Sequence, residues 1–397
     1  MRFCFYGKIA DAINGITIGG SELQKALLAK SLAKSGHEVV VIDPYTETSC
    51  ITEEGIKIIP VPNWNKGLPV IGLLFRKLPA LYKLLKEQKA DFYYARTRSY
   101  YHLFSYLAAR KTGGKFIMGM ASDIDLFSIW RIIKYKDLPS FNLIEFLKLD
   151  LPNILAFKYL LRKADYITLQ HSGQKILSKS IKGQQGIFPN IFDFNNLPRI
   201  QKESGDYFIS AGSLTMLKGA KNLLELVKVL DKRIKIVIVG EPRCRKTRVI
   251  YEQLKEIENV ELKGRLNHRE TMQLIGNAKA LINVSNFEGF PNIFLEAWAQ
   301  GIPVISLHVN PGDVINNYGL GKYCEGDIQR MKDYIEADIT ANHYNVSLIS
   351  YVKLNHDINS ASQRFFKILN NPHLKKSKDH HEDSVFHRLF SRWRKGA

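Results

Sequence analysis

No apolar run in this sequence approaches the roughly 20 residues that span a bilayer, so any membrane contact is expected to be peripheral. Cysteine is sparse. Cys4, Cys50, Cys244 and Cys324 are scattered, with no Cys-x-x-Cys pair and no metal-ligand spacing. They read as reduced thiols of a cytoplasmic protein, and no metal site is expected. Met1 to Gly7 is too short and too interrupted for a signal peptide and reads as a first strand. Acidic residues are in deficit, 38 against 57 Lys and Arg, which leaves a net charge of +19. Such a balance implies an acidic partner: nucleic acid, an anionic membrane surface or a phosphorylated substrate. The Gly-x-Gly-x-x-Gly spacing of dinucleotide-binding loops is also missing.

What is present is a chain of 397 residues, 45% hydrophobic, long enough for about two soluble domains. Its most informative stretch runs from Asn286 to Glu296. Ala280 to Val284 before it reads as a buried strand, Gly301 after it ends a helix, and Ile302 to Ser306 reads as the next strand. The loop of such a strand–loop–helix–strand unit lies at the carboxyl end of a parallel sheet, where open α/β sheets bind ligands. Glu288 falls in that loop. Glu296 falls in the helix, one turn from Asn292 and from Gln300, in a polar stripe. A solvated stripe and a surface acid are one reading. The other is a ligand site: the helix start, around Gly289, Phe290, Pro291 and Asn292, suits a phosphate or sugar oxygen, and a carboxylate suits paired hydroxyls.

The remaining chain reads as alternating strands and helices. Gly19-Gly20 opens a helix from Leu23 to Lys34, and Val39 to Asp43 is the second strand, which makes a βαβ unit. Trp64 to Lys89 and Leu126 to Lys163 are basic and apolar together. Each fits either an anionic membrane surface or an ordinary helix with one buried face. Asp123 follows a strand and either contacts substrate or caps the next segment. His171 reads as a loop residue with nothing to orient it. A strand from Tyr207 runs into Gly212-Ser213, and Lys218 precedes a helix from Leu223 to Leu230. Met272 to Ala278 reads as a further helix, and Tyr351 to Leu369 as the terminal one.

The stretch Glu288-Gly289-Phe290-Pro291-Asn292 with Leu295-Glu296-Ala297, followed by Gly301-Ile302-Pro303-Val304-Ile305, resembles the Glu-x7-Glu signature of the retaining group 1 (GT4-like) glycosyltransferases. Pro189-Asn190-Ile191-Phe192-Asp193 is similar to that family's Pro-Asn-Gly-x-Asp segment, with Ile191 in place of the glycine. The resemblance covers nearly the whole chain. It implies an α/β GT-B fold, with two Rossmann-like domains facing a central cleft and a C-terminal helix crossing back to the first. The expected division is an acceptor domain at 1–195, a nucleotide-sugar domain at 205–355, a crossover helix at 356–371 and a basic tail at 372–397.

The implied reaction is transfer of a sugar from a nucleotide-sugar donor, UDP-sugar first, to a glycan or lipid-linked acceptor with retention, in polysaccharide or glycolipid biosynthesis, without a metal or other cofactor. The implied roles are Lys218 on the leaving diphosphate, Glu288 on the sugar hydroxyls and Glu296 on the ribose. Gly289, Phe290, Pro291, Asn292, Gly19 and Gly20 would lie along the donor, with Arg265 in the turn by the base. Two positions depart from the family pattern. Ser213 stands where an arginine is usual, and Arg243, Arg245 or Lys246 either replaces it or forms a solvated basic loop. Ala121-Ser122-Asp123 stands where relatives place a histidine, which leaves Asp123 as the candidate catalytic contact in the first domain. An epimerase or hydrolase on the same fold, and a basic nucleic-acid-binding protein, are the alternatives, although no nucleic-acid motif matches.

Overall fold

The computed structural model describes residues 1–16, 19–64, 76–127, 146–176, 181–198, 205–337 and 345–370. Residues 65–75 and 128–145 of the two basic apolar segments, 199–204 of the expected linker and the tail from 371 lie outside them.

Two sheets organise the described residues. The first holds β1 (Arg2–Tyr6), β2 (Glu38–Asp43), β3 (Cys50–Ile51), β4 (Lys57–Pro60), β5 (Phe92–Arg96), β6 (Lys115–Gly119), β7 (Tyr166–Leu169) and β8 (Gln184–Ile187). Their order is β3-β4-β2-β1-β5-β6-β7-β8, parallel throughout except for the β3–β4 edge. The second holds β9 (Phe208–Ala211), β10 (Ile236–Val239), β11 (Val260–Gly264), β12 (Leu281–Asn283), β13 (Val304–Ser306) and β14 (Gly321–Tyr323). Its order is β11-β10-β9-β12-β13-β14, all parallel. Runs such as Val39-Val40-Val41-Ile42 and Ile236-Val237-Ile238-Val239 are buried on both faces, as parallel strands under two helical layers must be.

The strand order reverses direction at two places. In the first sheet the chain moves outward from β1 through β2, then returns to lay β5 on the other side of β1. In the second it moves from β9 through β10 to β11, then returns to lay β12 beside β9. Each reversal opens a crevice at the carboxyl ends of the two central strands. Gly7 and Arg96 border the first crevice. Ser213 and the loop from Val284 to Pro291 border the second.

The helices are α1 (Ala10–Ile13), α2 (Gly20–Lys34), α3 (Leu78–Glu87), α4 (His102–Thr112), α5 (Leu151–Lys163), α6 (Ala220–Val229), α7 (Arg245–Lys255), α8 (His268–Asn277), α9 (Asn292–Trp298), α10 (Val314–Tyr318), α11 (Ile328–Glu336), α12 (Asn345–His356) and α13 (Ala361–Leu369). Sequence periodicity places the start of α2 at Leu23. The helix begins at Gly20, so Gly19 and Gly20 form its first turn rather than a loop ahead of it. It also places the start of α8 at Met272. Asn267 caps that helix a turn earlier, accepting from the Glu270 N–H at 2.9 Å, while the Glu270 carboxylate accepts from the Asn267 N–H at 2.9 Å.

The terminal segment is two helices, not the single one expected over Tyr351 to Leu369. Asp357 breaks it: its carboxylate accepts from the Asn359 N–H at 3.1 Å and closes a short 3-10 turn, Ile358–Ser360. Leu348, Tyr351 and Val352 of α12 are buried in the core of the second sheet, with Phe294 and Trp298. Phe365, Ile368 and Leu369 of α13 are buried in the core of the first, with Phe3 and Phe5. The Ser31 hydroxyl stitches this return, donating to the Ile358 carbonyl at 2.8 Å and accepting from the Ser362 N–H at 3.0 Å. Among the described residues no helix is long and apolar enough to cross a membrane.

Candidate active site

The second crevice is built by two loops locked together. Gly219 sits at φ 74°, and a Cβ there would fall 1.8 Å from the Val284 carbonyl oxygen. Only glycine allows that approach. Asn286 fixes the contact from the other side, its N–H donating to the Leu217 carbonyl at 2.9 Å and its amide to the Met216 carbonyl at 2.8 Å. The Asn222 amide, on the first turn of α6, donates to the Val284 carbonyl at 3.0 Å. This locking brings Lys218, at the start of α6, against Glu288, at the end of the loop after β12. The two form an ion pair, and the Ser285 hydroxyl donates to the same carboxylate oxygen at 3.1 Å. Glu288 is mostly enclosed, its side chain 16% exposed, whereas Lys218 is 43% exposed and faces the cleft. Ser213, Lys218, Asn283 and Glu288 line one pocket at the β9–β12 reversal.

Glu296 lies on the next helix, one turn into α9. Its carboxylate has no hydrogen-bond or ionic partner among the described residues. Desolvation alone pushes its carboxyl up to about 7. A partly buried, unpaired acid on a helix otherwise packed with Phe294, Leu295, Ala297 and Trp298 has an open acceptor for a ligand hydroxyl.

The motif residues between the two acids divide into separate parts. Phe290 turns away from the cleft: its ring is buried against His356 at 4.8 Å and Trp298 at 6.3 Å between centroids. Pro291 has no N–H and serves as the cap residue of α9. The Asn292 amide faces the first domain. Its oxygen accepts from Asn190 at 2.7 Å and from Gln24 at 3.1 Å, and its nitrogen donates to the Gly20 carbonyl at 3.4 Å. The side chains of Phe290, Pro291 and Asn292 therefore hold the loop and the domain seam, and any ligand contact here falls to main-chain groups. Gly289 is pressed against the first domain, where a Cβ would meet the Gln170 amide at 1.8 Å and the Ala121 carbonyl at 3.0 Å.

Asn190 is the hub of that seam, and its amide was not singled out from sequence as functional. It donates to the Phe290 carbonyl at 2.7 Å and accepts from Arg96 at 2.7 Å, with the Gln170 amide packed beside it. Its position in the Pro-Asn segment was the available signal. Gly19 and Gly20 also face this seam. A Cβ on Gly20 would lie 2.9 Å from the Asn292 amide nitrogen.

Two sequence expectations are corrected in the first domain. Asp123 does not cap the segment after β6. Ser122 and Asp125 form that capping box, with the Asp125 carboxylate accepting from the Ser122 N–H at 3.1 Å and paired with Arg98 at 3.1 Å. Asp123 is instead free to orient His171. The imidazole Nε2 lies 3.0 Å from its carboxylate, and the Gln174 amide donates to the same oxygen at 2.8 Å. His171 thus has the orienting group that sequence separation concealed, since the pair is 48 positions apart. It abuts the second domain, where a Cβ on Gly312 would lie 3.2 Å from the His171 Cβ.

Arg265 is exposed just past β11, at the outer end of the same carboxyl edge. The Arg243 N–H donates to the Leu214 carbonyl at 3.2 Å, so that loop lies beside Ser213.

Residues 194–353 match the family described as glycosyl transferases group 1, and residues 18–168 match the one described as glycosyltransferase family 4. An uncharacterized glycosyltransferase of Methanocaldococcus jannaschii is 28% identical over 178 residues, 40% of this chain. The match spans 43% of that protein's length. HepE of Anabaena, solved in complex with UDP and glucose, superposes with a TM-score of 0.65 at 14% identity, covering 93% of this chain and 99% of that one. Sucrose-phosphate synthase of Thermosynechococcus elongatus superposes with a TM-score of 0.68 at 14% identity, covering 99% of this chain and 100% of that one. The fold they share with this chain is GT-B.

Proposed function

The chain belongs to the group 1 glycosyltransferases, and from that premise we propose that it transfers a sugar from a nucleotide-sugar donor, UDP-sugar first among candidates, to a hydroxyl of a glycan or lipid-linked acceptor, with retention at the anomeric carbon. One observation carries the reading. At the strand-order reversal of the second sheet, Lys218 and Glu288 are locked together by Gly219, and the next helix presents Glu296, which has no partner among the described residues. A cation beside an acid suits a ligand with both phosphate and hydroxyls. The likeness of fold to HepE, solved with UDP and glucose, supports a uridine nucleotide.

In this reading Glu296 accepts from the ribose hydroxyls and Glu288 from the sugar hydroxyls. Lys218 moves from Glu288 onto the diphosphate, where negative charge grows as the anomeric C–O bond breaks. Arg243 adds the charge that Ser213 lacks. The acceptor oxygen forms the new bond on the face the diphosphate leaves, and its proton passes to a diphosphate oxygen. Lysine and main-chain N–H groups supply the neutralisation, so the reaction runs without a metal. Asp123, through His171, orients the acceptor side of the cleft.

The acceptor and the membrane belong to the same proposal. On α5, Leu155 and Tyr159 are exposed beside Lys158 and Arg162, and Leu107 of the adjoining α4 is exposed as well. An apolar face ringed by cations suits an anionic bilayer that carries a lipid-linked acceptor. NMR of the product tests the reaction. An α-linked product from an α-linked UDP-sugar is expected; a β-linked product excludes retention, and sugar release or epimerisation with donor alone excludes transfer.

A further inference from the structure

The first crevice holds buried positive charge that the described residues do not neutralise. Lys25, on α2, is 3% exposed, and Arg96, at the end of β5, is 4% exposed. The nearest carboxylate to the Lys25 Nζ is Glu22 at 3.9 Å, too far for a hydrogen bond. Burial lowers the Lys25 pKa; Glu22 and Asp43 oppose that shift while Arg96 adds to it. Asp43 cannot turn toward Lys25, because it already accepts from the Ile9, Ala10 and Tyr45 N–H groups at 2.7, 2.8 and 2.9 Å. The Arg96 guanidinium donates to a neutral amide, Asn190, and its Nε is buried with no partner among the described residues. The Ser21 hydroxyl, one helical turn from Lys25 on the same face, is likewise buried with no partner among the described residues. His102 adds no charge, since burial and then Lys25 hold it neutral with a pKa near about 3.

Two cations and a hydroxyl thus share one low-dielectric corner in which, among the described residues, the Glu22 carboxylate stands beyond hydrogen-bond reach and Asp43 is held by main-chain N–H groups. Such groups are costly when buried unless an anion completes them. Two partly exposed glycines border the corner. Gly7, at φ 135°, is partly exposed, and a Cβ there would lie 2.7 Å from the Lys25 Nζ. Gly19 is partly exposed over the Glu22 carboxylate, where a Cβ would lie 2.5 Å away. Any larger residue at either position would close the corner. It lies at the carboxyl edge of β1 and β5, across the seam from Asn292.

We propose that Lys25 and Arg96 form an oxyanion subsite in the first domain, open past Gly7 and Gly19, that takes a phosphoryl or carboxylate group of the acceptor. This rests on the transferase reading and narrows it: the acceptor is acidic close to the hydroxyl that receives the sugar. Glu22 is displaced when the anion enters, and Ser21 donates its free hydroxyl.

The test is a calorimetric titration of the full chain with inorganic phosphate under saturating UDP, so that the donor cleft is already filled. Wild type is expected to bind phosphate. Lys25→Met is expected to weaken that binding about 10- to 100-fold, as loss of a charged hydrogen-bond donor does, while UDP affinity stays the same. Arg96→Gln carries the same expectation and serves if Lys25→Met does not fold. Octyl phosphate and octyl glucuronide separate the two sources of the anion. Each that binds wild type and loses affinity in the variants supports the subsite, and neutral octyl glucoside must not distinguish them. Phosphate affinity that is absent in wild type, or equal in wild type and variants, overturns the subsite while UDP binding leaves the transferase reading standing. Absence of UDP binding counts against that reading instead, and the phosphate titration is then run without UDP under the same criteria.

Discussion

Glu296, which we propose holds the ribose hydroxyls, is a side chain whose placement costs the empty protein stability. Burial pushes its carboxyl up to about 7 in the fold, from an ordinary value of 4.5. Between those values the folded chain holds a proton that the unfolded chain has released, so stability falls as pH rises from about 4.5 through 7. Glu296→Gln removes that loss. By thermal or urea unfolding at pH 8, the variant is expected to be more stable than wild type by on the order of 1–3 kcal/mol, discounted for partial exposure. At pH 4 the two should coincide, and a variant less stable at pH 8 would contradict the account. At this scale the sequence was unevenly legible. Glu288, Glu296 and Lys218 could be named because they occupy fixed places in short motifs. Lys25 was not singled out from sequence; its one signal is a charge on the stripe of Leu28 and Leu32, where a helix ought to be apolar. The Asp123–His171 pair and the Asn190 hub join residues far apart in the chain, and periodicity carries no information about such contacts.

Among the elements, the loop ahead of α6 and the loop after β12 act as one piece. Gly219 makes that possible through both its backbone conformation and its missing Cβ. Gly219→Ala would place a methyl group inside the Val284 carbonyl and force an L-residue into the left-handed region. The expected cost is roughly 2–4 kcal/mol, with Lys218 displaced and UDP affinity reduced. Unchanged denaturation together with unchanged UDP binding would show that the two loops are independent. Strand and helix existence was readable here, since Val39 to Ile42 and Ile236 to Val239 are continuous apolar runs. Boundaries were not always. The Asn267 cap pulls α8 one turn forward, and Asp357 divides the terminal helix; both are side-chain bonds to the main chain that compete with the hydrophobic pattern. The α4–α5 face belongs to this scale too. Co-sedimentation with vesicles is expected to rise with anionic lipid and to fall about tenfold or more for Leu155→Glu with Tyr159→Glu; equal binding to neutral and anionic vesicles would remove the membrane proposal.

For the molecule as a whole, the two-domain plan was legible because the chain is long enough for two domains and the motif resemblance spans nearly all of it; the reversal of strand order in each sheet was not. How the halves meet was not legible. The seam is made of amides, Asn190, Gln170, Gln24 and Asn292, that look like ordinary surface polarity in a sequence. Those contacts bring the helix starts of α2 and α9 together, which sets the cationic corner of the first domain across the seam from the start of α9. Such an arrangement suits a donor on one side and an anionic acceptor on the other. The most direct measurement is a calorimetric titration of UDP into wild type, Glu296→Ala and Lys218→Ala, with circular dichroism to establish that each is folded. Wild type is expected to bind, and each folded variant to bind at least about tenfold more weakly, in keeping with loss of a charged contact. Folded variants that bind UDP as wild type does, or a wild type that does not bind it, would contradict the account.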